Sequence, residues 1–298
     1  MSNFKKLSGN TPLIKISTGI YGKLETYNPT GSVKDRVINY IVGEALKNNE
    51  IDTNSILCEA TSGNTGIALS AVAASLGMKC KIFMPCNMSE ERKKMMRVFG
   101  AQIVESPANN FEHAINARNK FIESKKKAWS SMQFSNPKNI ECHKTITAPE
   151  ICKDVCNILK NFSAFIHGSG TGGTIEGVRQ FFKNKEPTRC WGKCQFKLDC
   201  QAPKIIMVVP AEETHGIQGI GDGKDFLANP SDMDHIIRIK TQDAINRAKR
   251  FAKDTGILIG ISSGANILAS ERWVNDNKPS GIVVTMLSDR GERYMSIY

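Results

Sequence analysis

The chain has 298 residues, 40% of them hydrophobic and 23% charged, which excludes a disordered polymer and allows roughly three quarters of the unfolded surface to be buried without disulfides or metals. Forty Lys and Arg against 29 Asp and Glu give a formal charge of +11, but the basic residues are spread along the chain, so they read as solvated faces and no nucleic-acid partner is expected. No run is long enough for an apolar membrane span, and MSNFKKLSGN lacks the long apolar core of a secretory signal, so no membrane association and a cytoplasmic location are expected.

Nine cysteines, an odd number scattered through apolar runs and loops alike, argue for reduced thiols over a disulfide framework. The lysine groups at 93–94 and 125–127 fall in stretches that read as surface helices.

From residue 34 onward, helical periodicity alternates with short β-branched runs. VKDRVINYIVGEAL repeats Val33, Val37, Ile41 and Ala45 at intervals of four, on one helix face. ILCEA reads as a buried strand leading through glycines into the helical IALSAVAASLG. CKIFMP and SEERKKMMRVFG form the next cycle, with Ser89 expected to cap the helix and Glu90 and Glu91 suiting its first turn. AQIVESP and FEHAINARNKFIESK form a third.

After the NPKN turn at 136–139, the pattern predicts a helix over 148–160, the strand SAFIHG, a glycine loop and the helix IEGVRQFFKN. The strand KIIMVVPAE, the helix TQDAINRAKRFAKDTG, the strand ILIGI, the helix GANILASERWVNDN and a final strand IVVTML complete the order. Such alternation predicts an α/β fold of parallel sheets joined by right-handed crossovers.

Four segments carry chemistry. In NPTGSVKDR (28–36), Asn-Pro-Thr-Gly signals a turn and Ser32 precedes the helix. Lys34 then lies in the first helical turn, where the positive helix end favours the neutral amine that a Schiff base needs. The plain alternative is a solvated lysine with Asp35 and Arg36 as surface charge. In TSGNTG (61–66), Thr61, Ser62, Asn64 and Thr65 offer hydroxyl and amide groups, and Gly63 and Gly66 permit close backbone approach. A helix start there suits a carboxylate or phosphate, or is simply a capped polar turn.

GSGTGGT (168–174) can wrap backbone N–H groups and hydroxyls around a dianion, or form a tight structural turn. It lacks the Gly-Lys-Ser/Thr ending of nucleotide hydrolases and the G-x-G-x-x-G spacing of dinucleotide sites. In GISSGAN (260–266), Ser262 and Ser263 follow an apolar run and can meet a ligand nitrogen or cap a helix. Together, a lysine for an aldehyde, donors for a phosphate and a hydroxyl for a ring nitrogen form a set compatible with pyridoxal 5'-phosphate.

With these motifs in this order, from GNTPLIKI at Gly9 to GERYMSIY at Gly291, the chain resembles the cysteine synthase and cystathionine β-synthase family of fold type II pyridoxal-phosphate enzymes. The resemblance implies two parallel-sheet α/β domains of the tryptophan synthase β-like kind, with the cofactor in the cleft. Residues 1–38 and 146–298 would form the larger, phosphate-binding domain, and 39–145 the smaller, mobile, substrate-binding one. Lys34 is implied as the Schiff-base lysine and proton-transfer group, Asn64 as the contact of the ring hydroxyl, and Ser262 as the partner of the pyridine nitrogen. Gly170, Thr171, Gly172, Gly173 and Thr174 would cradle the phosphate. Thr61, Ser62, Gly63 and Thr65 would surround the substrate carboxylate, with Gln133 of QFSNP nearby and Gly219 of GIQGIG lining the mouth of the site. No metal is expected.

The implied reaction replaces the acetoxy group of O-acetyl-L-serine by sulfide, giving L-cysteine and acetate. O-phosphoserine as substrate, or serine with homocysteine, are the neighbouring alternatives; a catalytically silent scaffold would have no need of Lys34. Family members commonly form homodimers, and some bind the C-terminal tail of serine acetyltransferase. Three departures stand out: a short connection between GNTPLIKI and KLETYNPTGSVKDR, the charges Asp222, Lys224 and Asp225 after GIG, and an insertion at 185–204. The insertion's Cys190, Cys194 and Cys200 lack paired metal spacing or an adjacent histidine, so it reads as a flexible or partner-facing loop.

Overall fold

The computed structural model describes residues 3–158, 161–183, 202–221 and 227–298. Cys190, Cys194, Cys200, Asp222, Lys224 and Asp225 lie outside the described residues. In chain order the elements are α1 (Asn3–Leu7), β1 (Leu13–Ser17), β2 (Ile20–Leu24), α2 (Lys34–Lys47), β3 (Ile56–Ala60), α3 (Asn64–Leu76), β4 (Lys79–Pro85), α4 (Glu90–Val98), β5 (Gln102–Ser106), α5 (Phe111–Ser124), β6 (Ala128–Ser130), α6 (Lys138–Cys142), a π-helical turn (His143–Thr147), α7 (Ala148–Ile158), β7 (Phe162–Gly168), α8 (Gly173–Lys183), β8 (Lys204–Pro210), β9 (His235–Ile239), α9 (Thr241–Thr255), α10 (Ile261–Asn277) and β10 (Ile282–Leu287). The fold is α/β, as expected. No described helix is long and apolar enough to cross a membrane.

Two compact units divide the chain, one of Met1–Gly9 with Asn28–Lys138 and one of Asn10–Tyr27 with Asn139–Tyr298. The residues up to Gly9 and residues 28–38, which the resemblance groups with the larger domain, therefore fall in the first unit, and residues 139–145 in the second.

In the first unit four parallel strands are ordered β5-β4-β3-β6. The four-residue repeat of α2 does what its spacing predicts: Val37, Ile41 and Ala45 are buried, joined by Ile38 and Val42. The nearly all-apolar α3 buries nine consecutive residues from Thr65 to Ala73 and ends at Gly77, whose φ of +67° lets Met78 N close back onto Ala73 O at 2.9 Å.

Two expectations for α4 are corrected here. Lys93 is buried, its Nζ donating to Cys86 O at 2.6 Å and pairing with Glu90 at 2.9 Å and Glu105 at 2.8 Å; only Lys94 of that pair is exposed. Ser89 occupies the N-cap position but makes no side-chain cap bond. The lysines at 125–127 are exposed but lie just past the end of α5.

The second unit carries a six-stranded sheet ordered β1-β2-β10-β7-β8-β9, parallel except for the β1–β2 hairpin. Its central strand β10 is buried throughout, the hallmark of a parallel sheet covered on both faces. ILIGI is not a strand: only Ile259 makes an isolated bridge, to Arg290. Gly260 N bonds to Asp289 O at 2.9 Å, and α10 starts at the next residue. Ser262 and Ser263 consequently sit inside the first turn of α10.

The six described cysteines, from Cys58 to Cys156, are reduced. Burial pushes the Cys58 and Cys80 thiols up to about 12, so neither supplies a thiolate at neutral pH.

Candidate active site

The turn before α2 is built from its own sequence. Gly31 N bonds to Asn28 O at 2.8 Å, and Gly31 takes φ +82°, which Gly alone adopts without strain. Asp35, wholly buried, accepts from Thr30 N at 2.7 Å and from the Thr30 hydroxyl. Asp35 thereby ties the turn to the helix that Lys34 opens. Arg36 is buried as well and Lys34 half-buried, so the alternative of a solvated charged helix start is set aside.

The segment 61–66 lies in the same unit, between the end of β3 and the start of α3. Gly63, the N-cap, donates its N–H to Thr61 Oγ1 at 3.1 Å. A Cβ on Gly63 would lie 2.8 Å from Arg92 Cδ, while Arg92 Nη1 donates to Ser62 O at 3.3 Å. Ser62 is exposed, and Thr61 and Thr65 are buried. Gln133 Oε1 accepts the Thr65 hydroxyl at 2.5 Å. The structure thus joins Gln133, 68 residues further along, to the head of α3. The N–H groups of that first turn have no acceptor within the helix and favour negative charge.

In the second unit, the segment 168–174 runs from the end of β7 to the start of α8. Close packing explains its glycines. A Cβ would fall 2.5 Å from Gly219 O at Gly170, 2.6 Å from Ala228 N at Gly172, and 2.1 Å from Asn139 Oδ1 at Gly173. With Gly172 at φ +83°, the backbone curls onto a helix N-terminus whose N–H groups suit a phosphate.

Two residues that the motif reading passed over support this curl. Asn139 Nδ2 donates to Thr171 Oγ1 at 3.0 Å. His143, in the π-helical turn and wholly buried, lies between Thr147 Oγ1 at 2.9 Å from Nδ1 and Thr174 Oγ1 at 3.1 Å from Nε2. A π turn inserts an extra residue into a helix and often marks a functional site. The sequence signal was an isolated histidine shortly after the NPKN turn.

Gly219, at φ +95°, lies against both Gly170 and Ser262: a Cβ there would be 3.7 Å from Ser262 Oγ. Gly170, Thr171, Gly172, Gly173, Thr174, Gly219 and Ser262 therefore belong to the second unit, and Lys34, Thr61, Ser62, Gly63, Asn64, Thr65 and Gln133 to the first. A glycine cradle on a helix start with two threonine hydroxyls fits a phosphate dianion, and a buried serine hydroxyl beside it fits a neutral ring nitrogen.

A glycine-rich loop at a strand end, a lysine at a helix start and a polar loop at another helix start, carried by largely parallel sheets, are features shared with the fold type II class of pyridoxal-phosphate enzyme. The chain belongs to the family described as pyridoxal-phosphate dependent enzyme, whose model matches residues 5–289; pyridoxal phosphate is its cofactor. It is 36% identical to cysteine synthase B of Campylobacter jejuni, over 98% of this chain and 96% of that one. Among solved structures it resembles a hydrogen sulfide-producing enzyme from Fusobacterium nucleatum, with a TM-score of 0.87 and 33% identity over 99% of this chain and 100% of that one. It also resembles an O-acetylserine dependent cystathionine β-synthase from Helicobacter pylori, with a TM-score of 0.87 and 29% identity over 100% and 98%. The chain is a cysteine synthase-like enzyme of amino-acid metabolism.

Proposed function

We propose that this enzyme is an O-acetylserine sulfhydrylase, replacing the acetoxy group of O-acetyl-L-serine by sulfide to give L-cysteine and acetate. The observation that carries the reading is the polar head of α3. There Thr61, Ser62 and the hydrogen-bonded pair Thr65 and Gln133 converge at a helix start, matched to an amino-acid carboxylate, in a chain similar to a cysteine synthase along nearly all its length.

Pyridoxal phosphate supplies, when bound, an aldehyde for the amino group and an electron sink for the charge released at Cα. Lys34 would hold the aldehyde and afterwards take the Cα proton at Nζ. Thr61, Ser62, Gly63, Thr65 and Gln133 fix the carboxylate, and so the direction of the Cα–H bond. Asn64 would meet the ring hydroxyl, and the segment from Gly170 to Thr174 the phosphate. Ser262 would offer the pyridine nitrogen a neutral hydroxyl rather than a carboxylate, a partner that does not favour strong protonation there. In the net change the Cβ–O bond breaks with acetate leaving, a Cβ–S bond forms, and the Cα proton is returned.

A second reading keeps O-acetylserine and changes the nucleophile. The likeness to the O-acetylserine dependent cystathionine β-synthase from Helicobacter pylori favours homocysteine in place of sulfide. Both are tested by offering O-acetylserine, O-phosphoserine or serine with either sulfide or homocysteine. The expected result is a kcat/KM for O-acetylserine with sulfide at least about tenfold above every other pairing, a preference of 1.4 kcal/mol in the barrier. Dominant cystathionine formation would establish the second reading, and preferential use of serine or O-phosphoserine would overturn both.

A further inference from the structure

A carboxylate within an apolar strand is costly unless its lone pairs are answered. Glu59 stands in β3, wholly buried, next to the strand's last residue. The neighbouring strand β6 pairs with β3 only as far as Cys58 opposite Ser130, so at Glu59 the ladder stops and residues 131–133 follow in its place. Four donors reach the carboxylate. Oε1 accepts from Arg118 Nη1 at 2.8 Å and from Ala60 N at 2.9 Å, and Oε2 accepts from the Ser131 hydroxyl and, at 3.4 Å, from Gln133 N.

Arg118, itself buried, reaches over from α5. Its Nη1 also lies 3.4 Å from Ser130 Oγ, and its Nε and Nη2 lie 3.1 and 2.9 Å from Asn119 Oδ1. The segment held in this way contains Met132 at φ +50°, a left-handed conformation that a long side chain adopts only when its surroundings impose it. The next residue is Gln133, which accepts the Thr65 hydroxyl.

The geometry points to Glu59 and Arg118 as positioning residues for the amino-acid substrate: Glu59 holds the strained turn at 131–133, and through it sets Gln133 against Thr65, while Arg118 balances the buried charge. This rests on the reading of Thr65 and Gln133 as carboxylate contacts.

The test measures binding of L-serine to the holoenzyme through the change in cofactor absorbance, alongside Tm. Glu59→Gln keeps the volume but places an amide donor where two acceptor oxygens are needed, and the Kd for L-serine should rise about tenfold, as for loss of one charge-assisted hydrogen bond. Tm should also fall, because Arg118 loses its buried counter-charge. Adding Arg118→Gln removes that charge and should restore most of the Tm while leaving the Kd raised; a merely structural pair would recover both together. Ser131→Ala leaves the ion pair intact, should raise Kd about threefold, and serves as the readout if Glu59→Gln does not fold.

Gln133→Ala separates this inference from the reading beneath it. Wild-type affinity in Glu59→Gln, in the double variant, or in Ser131→Ala where only that variant folds, overturns the positioning role. If Gln133→Ala nevertheless binds weakly, the carboxylate reading survives that failure. Normal binding by Gln133→Ala overturns the carboxylate reading and the route through Gln133 with it.

Discussion

Lys34→Ala should lower kcat by at least about 10³-fold, because one side chain is asked to hold the cofactor and to move the Cα proton, and positioned proton transfer alone contributes 10²–10⁴. The same variant should lose the visible absorbance of the lysine-linked cofactor. Stability should hardly change. Lys34 opens α2, where alanine is at least as good a helix former, and the bonds from Thr30 to Asp35 that hold the turn ahead of it are kept. A folded Lys34→Ala protein that keeps the absorbance and turns over normally would remove Lys34 from the mechanism.

The second large effect is expected at the proposed phosphate cradle. A Cβ at Gly170 would lie 2.5 Å from Gly219 O, a backbone atom with no flexible side chain to swing aside. Gly219 is itself at φ +95°, so the segment facing Gly170 is already in a conformation with little room to relax. Overpacking of this kind costs about 1–3 kcal/mol. In Gly170→Ala that cost should appear as a displaced cradle and a cofactor Kd raised about tenfold or more, since 1.4 kcal/mol is tenfold. Gly43→Ala is the control: a Cβ there meets nothing within 4 Å, so the cofactor Kd should stay as it was. Equal cofactor affinity in Gly170→Ala and the parent protein would detach this loop from phosphate binding.

The buried strands and amphipathic helices were legible because their periodicity is local: β3, β5, β8 and β10 lie within predicted runs, and β4 and β7 each begin one residue ahead of theirs. Strands β1, β2, β6 and β9 were not anticipated. The edge strands β1 and β9 are largely half-exposed or exposed and β6 spans three residues, so none carries a long apolar run. In ILIGI the apolar run is real, since Ile259 and Ile261 are fully buried, but burial alone does not separate a strand from a helix entry. Lys93 was misread for a related reason. A lysine beside acidic residues reads as solvated, and its long-range partner Glu105 becomes visible only in the fold.

The site motifs were legible because tight turns require particular residue types in sequence, as at Asn28, Pro29, Thr30 and Gly31. Their supports were less so. Asn139 and His143 serve threonines 32 and 31 residues away, and Glu59 meets Arg118 and Ser131 across separations of 59 and 72 residues. Glu59 did leave a trace: one acidic residue inside the otherwise apolar ILCEA, which burial obliges to find partners.

The most direct test of the account is to reduce the holoenzyme with borohydride, digest it and locate the pyridoxyl group by mass spectrometry. A single modified lysine, Lys34, is expected within the peptide that contains NPTGSVKDR; stoichiometric labelling of any other lysine, with Lys34 unmodified, would contradict its role as the cofactor-bearing residue.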